Sequence, residues 1–333
     1  MREEKLPLVS ICVPTYNCAR FLEKSLDSIA LQTYQNIEVI ISDNASTDGT
    51  VAILKQYQRR FGWHLALNQV NVGPGNNFNR LIDLAQGDFV AIYHGDDIYH
   101  PDIVTEAVRV FAANPHVGIV GTLIREIDGR GKTIKEYTLP DQIGNLNKTS
   151  YSFDETLLGV LSSGNDAIFL ATPSVMVRRS VYQKLGNFKV NDRYKSALDY
   201  EMWLRVASEY GVAIIDRQLM QYRIHENQGS ELEIRKNIEV HDIVNVLQDH
   251  LENVQDKSIF RKACHFIDNA YISAAVRQNA GTRYAKSNES LSFVKARFSV
   301  KKLVLYVLNK CELNASSRNI RRLYGLLKLR DRP

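Results

Sequence analysis

The sequence predicts an α/β fold built on a mostly parallel sheet covered by helices. Three observations predict it. Between residues 8 and 120, short apolar runs alternate with segments of helical periodicity, the pattern of successive βα units. The run from Phe89 to Tyr93 is apolar throughout and bounded by Gly87 and Gly95, as a strand buried on both faces would be. With 333 residues and 44% hydrophobic content, the chain can bury a large core in one large domain or two.

Taken in order, Val9 to Val13 is a strand stopped by Pro14, and Ala19 to Leu31 is an amphipathic helix with Phe21, Leu22, Leu26 and Ile29 on one face. Ile37 to Ser42 is a strand running into Asp43. Asp48 or Thr50 caps the next helix, where Val51, Ile53, Leu54 and Tyr57 recur at helical spacing. His64 to Leu67 is a weaker third strand, and Asn76 to Ala85 a helix. Phe89 to Tyr93 follows, and Pro101 opens a helix to about Ala113.

After Val120 the pattern changes. Leu123 to Ile127 and Lys132 to Tyr137 flank Asp128-Gly129-Arg130-Gly131 as a hairpin would, and residues 140–168, rich in Asn, Ser and Gly, read as loop. Ser174 to Val177 is a strand and Val181 to Leu185 a short helix before Gly186. Ala197 to Tyr210 is a helix, and Val212 to Ile215 starts the last core strand. From about Ile234 the pattern is helical and polar or basic. The expected organisation is therefore a core domain over 1–230 and a helical extension over 231–333.

Charge is unevenly spread. The chain carries +5 overall, yet from Lys295 onward there are eleven Lys and Arg against Glu312 and Asp331 alone. Such a basic tail calls for an anionic partner. Phe298 to Leu308 and Leu323 to Leu329 interleave apolar with basic residues, as helices lying on an anionic membrane surface do. An ordinary packing helix with a solvated basic face gives the same pattern. A nucleic-acid partner is disfavoured, because no aromatic-basic groove or known motif accompanies the tail. Cys12, Cys18, Cys264 and Cys311 form no CxxC pair, which suits a reducing compartment. No basic-then-apolar leader is evident and no apolar run approaches the roughly 20 residues of a membrane span. The expectation is a cytoplasmic protein, peripheral on the inner face of the cytoplasmic membrane.

Chemistry enters at strand ends. Asp96 and Asp97 sit just beyond the Phe89 to Tyr93 strand, where open α/β sheets form their ligand crevice. Paired carboxylates there suit a hard divalent cation that completes its shell with phosphate oxygens. Pro14-Thr15-Tyr16-Asn17 follows the first strand, and Asp43-Asn44-Ala45-Ser46-Thr47-Asp48 the second. With Asp199 in Leu198-Asp199-Tyr200-Glu201-Met202-Trp203-Leu204-Arg205 and with Tyr222-Arg223-Ile224-His225, these features resemble the family 2 glycosyltransferases over about residues 7–228.

That resemblance implies a GT-A fold and site roles. Pro14, Thr15, Tyr16, Asn17 and Asn71 would line the nucleotide pocket, Tyr16 against the base. Asp43 would accept a base or ribose hydrogen bond, and a carboxylate suits the imide N–H of uracil or thymine, so UDP- or dTDP-sugars are favoured. Asp96 and Asp97 match the acidic metal motif, for Mg²⁺ or Mn²⁺, with either reaching the metal and the other the ribose. Arg223 would bind phosphate, His225 would ligate metal or assist the leaving group, and Asp199 would be the general base. Three positions depart from the family pattern: His94 where an aspartate is usual, Phe78 in the place of an arginine, and Leu198 in the place of a glutamate.

The implied activity is inverting, metal-dependent transfer of a sugar from a nucleotide diphosphate to an acceptor hydroxyl, on a glycan or lipid-linked glycan in bacterial cell-surface polysaccharide (O-antigen or capsule) assembly. Two alternatives stand beside it. A nucleotidyltransferase would carry a Gly-rich basic phosphate loop where Pro14 to Cys18 stands. A catalytically degenerate relative, serving as a nucleotide-binding scaffold or sensor, is suggested by the three departures.

Overall fold

The computed structural model describes residues 6–164, 167–226, 241–295 and 300–314, and the chain divides into two units, Met1–Gln228 and Gly229–Pro333. The first holds a nine-stranded sheet. Its strands are β1 (Val9–Thr15), β2 (Ile37–Asp43), β3 (His64–Leu67), β4 (Phe89–Ile92), β5 (Ile98–Tyr99), β6 (Val117–Ile127), β7 (Thr133–Glu136), β8 (Met176–Arg178) and β9 (Gly211–Arg223). The helices are α1 (Ala19–Ala30), α2 (Thr50–Phe61), α3 (Pro74–Leu84), α4 (Ile103–Ala113), α5 (Asp141–Gly144), α6 (Phe153–Ser162), α7 (Arg179–Leu185) and α8 (Leu198–Ala207).

Strand order is β3-β2-β1-β4-β8-β6-β9-β5, with β7 added to β6. β3, β2, β1 and β4 are all parallel, and β6 runs parallel to β9 over its whole length. The antiparallel pairings, β4 with β8, β8 with β6, β5 with β9 and β7 with β6, are short. The sheet is thus mostly parallel and helix-covered, as its apolar strands predict. Ile11, Val13, Ile41 and Ala91 are fully buried from the sheet side, and Leu22, Leu26 and Ile29 of α1 close over them.

Two expectations are corrected. Residues 140–168 are not simply loop: α6 forms there behind a capping box, Ser152 Oγ accepting from Glu155 N while the Glu155 carboxylate accepts from Ser152 N. Leu157 and Val160 then anchor it in the core. The polar flanks hid this helix. β6 also starts six residues before the expected Leu123, because Gly118 and Gly121 mask a buried run. A Cβ at Gly121 would lie 2.8 Å from Leu170 Cδ2, so a larger residue there would have to displace that buried side chain.

Helix α8 seats its inner face through Met202, Trp203 and Val206, all buried. Trp203 meets Phe188 edge-on at 5.9 Å and is core. Glu201 is only 1% exposed and is held by Lys189 Nζ at 2.8 Å and Arg205 Nε at 3.0 Å. Arg205 also donates to the carbonyls of Leu185, Gly186 and Asn187. Glu201→Gln keeps an acceptor but uncharges a buried partner of two cations. It is expected to cost about 2 kcal/mol, read as a lower melting temperature.

The second unit is helical in its described part: Ile243–His250, Lys257–Ala280, Tyr284–Ser292 and Val300–Lys310. Ala263, Ile267, Ala274, Leu291, Val304 and Leu308 are buried within it. Asn309 ties the helices together, accepting from Asn279 Nδ2 at 2.7 Å and donating to Ser287 Oγ at 2.8 Å. No helix of the described residues is long and apolar enough to cross a membrane. The expected boundary at 230/231, residues 227–230 of the segment after His225, the start of the Phe298 to Leu308 stretch and the whole of Leu323 to Leu329 lie outside the described residues.

Candidate active site

The chain turns from β1 outward to β2 and β3 on one side and to β4 on the other, so the order reverses between β1 and β4. That switch point is where such sheets open a crevice beyond their carboxyl ends. Thr15 ends β1, Asp43 ends β2, and β4 leads through Tyr93 to Asp97. Gly95 lets the acidic turn lie against α1: a Cβ there would fall 3.1–3.3 Å from Leu22, Cys18 and Thr15.

The first two loops are laced together. Asp43, 1% exposed, accepts from Thr15 Oγ1 at 3.0 Å, Ser46 N at 2.9 Å and Ser46 Oγ at 2.6 Å. This Asx turn leaves about one acceptor site free on its carboxylate. Ala45 is held at φ 62°, a left-handed conformation costly for a residue with a Cβ. Asn17, at φ 47°, accepts from Thr47 N at 2.8 Å and its own N–H donates to Ser46 Oγ at 2.9 Å. Tyr16 is 50% exposed at the mouth, beside Pro14 in the strand end. Asn71 Oδ1 accepts from Asn44 Nδ2 and Gly73 N, both at 2.9 Å. It belongs to an amide network in which Asn44 and Asn77 also meet Asn68, and Asn77 meets Ser42.

The acidic turn is fixed from several sides. The His94 carbonyl accepts from Ser25 Oγ at 2.9 Å and Tyr99 Oη at 3.4 Å, and buried Tyr93 and Tyr99 stack at 4.0 Å beneath it. Pairing of β5 with β9, Ile98 opposite Gln221, carries Arg223 to the turn. Arg223 N donates to Asp97 Oδ1 at 2.8 Å, its Nε to the Asp96 carbonyl at 2.7 Å and its Nη1 to the Asp128 carbonyl at 3.1 Å. The guanidinium also lies 4.8 Å over the Phe21 ring. Arg223 is 1% exposed, so it stands behind the turn as a strut, with Nη2 lacking a partner among the described residues. His225 Nε2 lies 3.0 Å from Asp96 Oδ2, its ring against Phe21 at 4.8 Å.

The two carboxylates therefore differ. Burial, then the Asp96 charge, pushes Asp97 well above the usual carboxylate range. Burial also pushes Asp96 up, but the His225 hydrogen bond and the neighbouring imidazoles leave it below that range. His94, Asp96 and Asp97 each offer one ligand atom, all within 4.8 Å of one another. Asp97 Oδ2 and His94 Nε2 are buried without partners among the described residues. Asp97 Oδ2 is thus a buried oxygen open to a cation, and this donor set fits Mg²⁺ or Mn²⁺.

Asp199 opens the first turn of α8, Oδ2 accepting from Thr172 Oγ1 at 2.7 Å and Oδ1 from Tyr200 N at 2.9 Å. Its charge reaches the acidic turn: burial lowers the His94 pKa, while Asp96 and Asp199 pull it the other way. Glu201 faces Lys189 and Arg205 instead, as the helical spacing from Asp199 requires. Phe78 stacks on His94 at 5.9 Å and meets Phe188 edge-on at 5.8 Å. Asn79 pairs with both backbone groups of Phe188, at 2.9 and 3.0 Å. Sequence reasoning missed Thr172, Phe21 and Asp128, which reach the site only through contacts 27 or more residues apart and carry no local signal.

A family model described as glycosyl transferase family 2 matches residues 10–186. Among curated relatives, the Bacillus subtilis glycosyltransferase EpsE is 29% identical over 67% of this chain and 75% of its own. A Methanocaldococcus jannaschii glycosyltransferase is 28% identical over 69% and 75%. Two solved structures share the fold. Staphylococcus aureus TarS with UDP-GlcNAc has TM-score 0.62 at 14% identity, over 96% of this chain and 91% of that one. The mannosyltransferase PcManGT of Pyrobaculum calidifontis, with GDP-Man and Mn²⁺, has TM-score 0.59 at 18% identity, over 98% and 89%. Asp199, Arg223 and His225 lie beyond the residues that the family model matches. A family match across more than half of the chain and a GT-A sheet with its acidic turn at the switch point agree: the chain belongs to glycosyl transferase family 2 and is a glycosyltransferase.

Proposed function

We propose that the protein transfers a sugar from a nucleoside diphosphate donor to an acceptor hydroxyl with inversion, aided by a divalent cation. The observation that carries this reading is that Asp43 and the Asp96-Asp97 turn lie at adjoining strand ends, joined through Thr15, which donates to Asp43 and packs beside Gly95. Pro14 to Asn17, with Tyr16 exposed at the mouth, form the wall for the base. The acceptor site left on Asp43 suits a uracil or thymine imide N–H. Structural relatives crystallised with UDP-GlcNAc and GDP-Man support a nucleotide-sugar donor.

Asp199 accepts the proton of the incoming hydroxyl while its oxygen attacks the anomeric carbon opposite the leaving diphosphate. Thr172 fixes the carboxylate for that task. Asp96 and Asp97, steadied by Arg223 and His225, would hold Mg²⁺ or Mn²⁺, which when bound neutralises charge on the leaving diphosphate. Phe78 and His94 form an aromatic wall beside them. The acceptor is proposed to be a glycan or lipid-linked glycan in cell-surface polysaccharide assembly. The exposed Leu303 and Tyr306 of Val300–Lys310, beside Lys301 and Lys310, suit an anionic membrane surface.

A thermal-shift screen of UDP-, dTDP- and GDP-sugars with Mn²⁺ tests the reading, since a ligand at 100 times its Kd adds about 2.7 kcal/mol to native stability. UDP- or dTDP-sugars should raise the melting temperature most, and an α-linked donor should yield a β-linked product by NMR. Retention of configuration, or no response to any nucleotide sugar, would sink it.

A further inference from the structure

We propose that His94 is itself a ligand of the cation, so that the acidic turn is a mixed nitrogen-oxygen centre selecting Mn²⁺ over Mg²⁺. This rests on the metal-assisted reading above and deepens it. His94 Nδ1 lies 3.9 Å from Asp97 Oδ2. That is too long for a hydrogen bond, but within reach of two metal-ligand bonds of about 2.1 Å each. Asp97 is 1% exposed, yet its Oδ2 has no partner among the described residues. Arg223 spends its backbone N–H on Oδ1 and its Nε and Nη1 on carbonyls. A buried carboxylate oxygen left in this way is aimed at something the protein does not itself supply.

The imidazole is held for that role. Its backbone carbonyl is bonded by Ser25 and Tyr99, and its ring lies on Phe78 at an interplanar angle of 22°. The two departures at positions 78 and 94 are therefore in contact and explain each other. An arginine at 78 would set a fixed positive charge against a cation-binding ring, whereas phenylalanine only packs on it. Selectivity follows from ligand type. Mg²⁺ demands oxygen donors and dehydrates reluctantly, so exchanging a carboxylate for a neutral nitrogen weakens it most. Transition ions accept imidazole readily.

The test uses the full chain with Mn²⁺ alone and with Mn²⁺ plus UDP, read by pulsed electron spin-echo spectroscopy. Nitrogen modulation should appear, change pattern on ¹⁵N-histidine labelling, persist in His225→Gln and vanish in His94→Gln. In His94→Asp, the ratio of Mg²⁺ to Mn²⁺ affinity should rise by roughly tenfold or more, by titration. Bound Mn²⁺ without nitrogen modulation, or modulation lost with His225 instead, overturns the inference while leaving metal-assisted transfer intact. Failure to bind Mn²⁺ even with UDP overturns both. If His94→Gln does not fold, the labelled wild type and His225→Gln carry the test.

Discussion

Asp199→Asn is expected to lower turnover with the true acceptor by roughly 10²–10⁴-fold while leaving UDP affinity nearly unchanged. Asparagine keeps the shape of the side chain, and its one oxygen can still accept from Thr172 Oγ1, which holds the carboxylate at 2.7 Å, while the bond from Tyr200 N to the other oxygen is given up. Helix α8 should stay seated, because its packing runs through Met202, Trp203 and Val206 on the other face. The main loss is the capacity to take a proton, beside one local hydrogen bond to the Tyr200 N–H. Thr172→Val should act in the same direction but more weakly, since it frees the base without removing it. Full turnover in Asp199→Asn, measured as product glycan rather than donor hydrolysis, would remove Asp199 as the base and leave the acidic turn as the main source of rate.

How far the site was legible in the sequence depends on whether its parts are local. The parallel half of the sheet was legible, because strands buried on both faces read as apolar runs that lead into Thr15, Asp43 and the Asp96-Asp97 turn. The Asx turn at Asp43 is local, since both Ser46 donors lie three residues away, and it leaves a spare acceptor site. The role of Arg223 was not. Its sequence context suggests an open phosphate fork, whereas pairing of β5 with β9 and of β6 with β9 turns it inward onto the Asp96 and Asp128 carbonyls. Long-range register of this kind has no signature within a window of residues. The helix at Phe153–Ser162 was hidden for a different reason. Its start and stop residues, Ser152 and Ser163, are of the type that marks loops, and only the Ser152/Glu155 spacing separates the two.

Arg223→Met is expected to destabilise the first unit by about 3 kcal/mol, because two half-buried carbonyls lose donors and the cation beside buried Asp97 disappears. For a unit of this size that corresponds to a melting temperature lower by roughly 6–12 °C. Loss of UDP and Mn²⁺ binding should accompany it, since Asp96 and Asp97 would no longer be held against β9. Arg223→Lys separates the two roles open to this residue. A lysine keeps the charge but cannot bridge both carbonyls as the planar fork does. If Arg223 is the strut its burial indicates, the lysine variant should also melt early, with ligand binding weakened in proportion. A variant that melts like the wild type but binds UDP poorly would instead return Arg223 to a direct phosphate contact through Nη2, the one guanidinium nitrogen without a partner among the described residues.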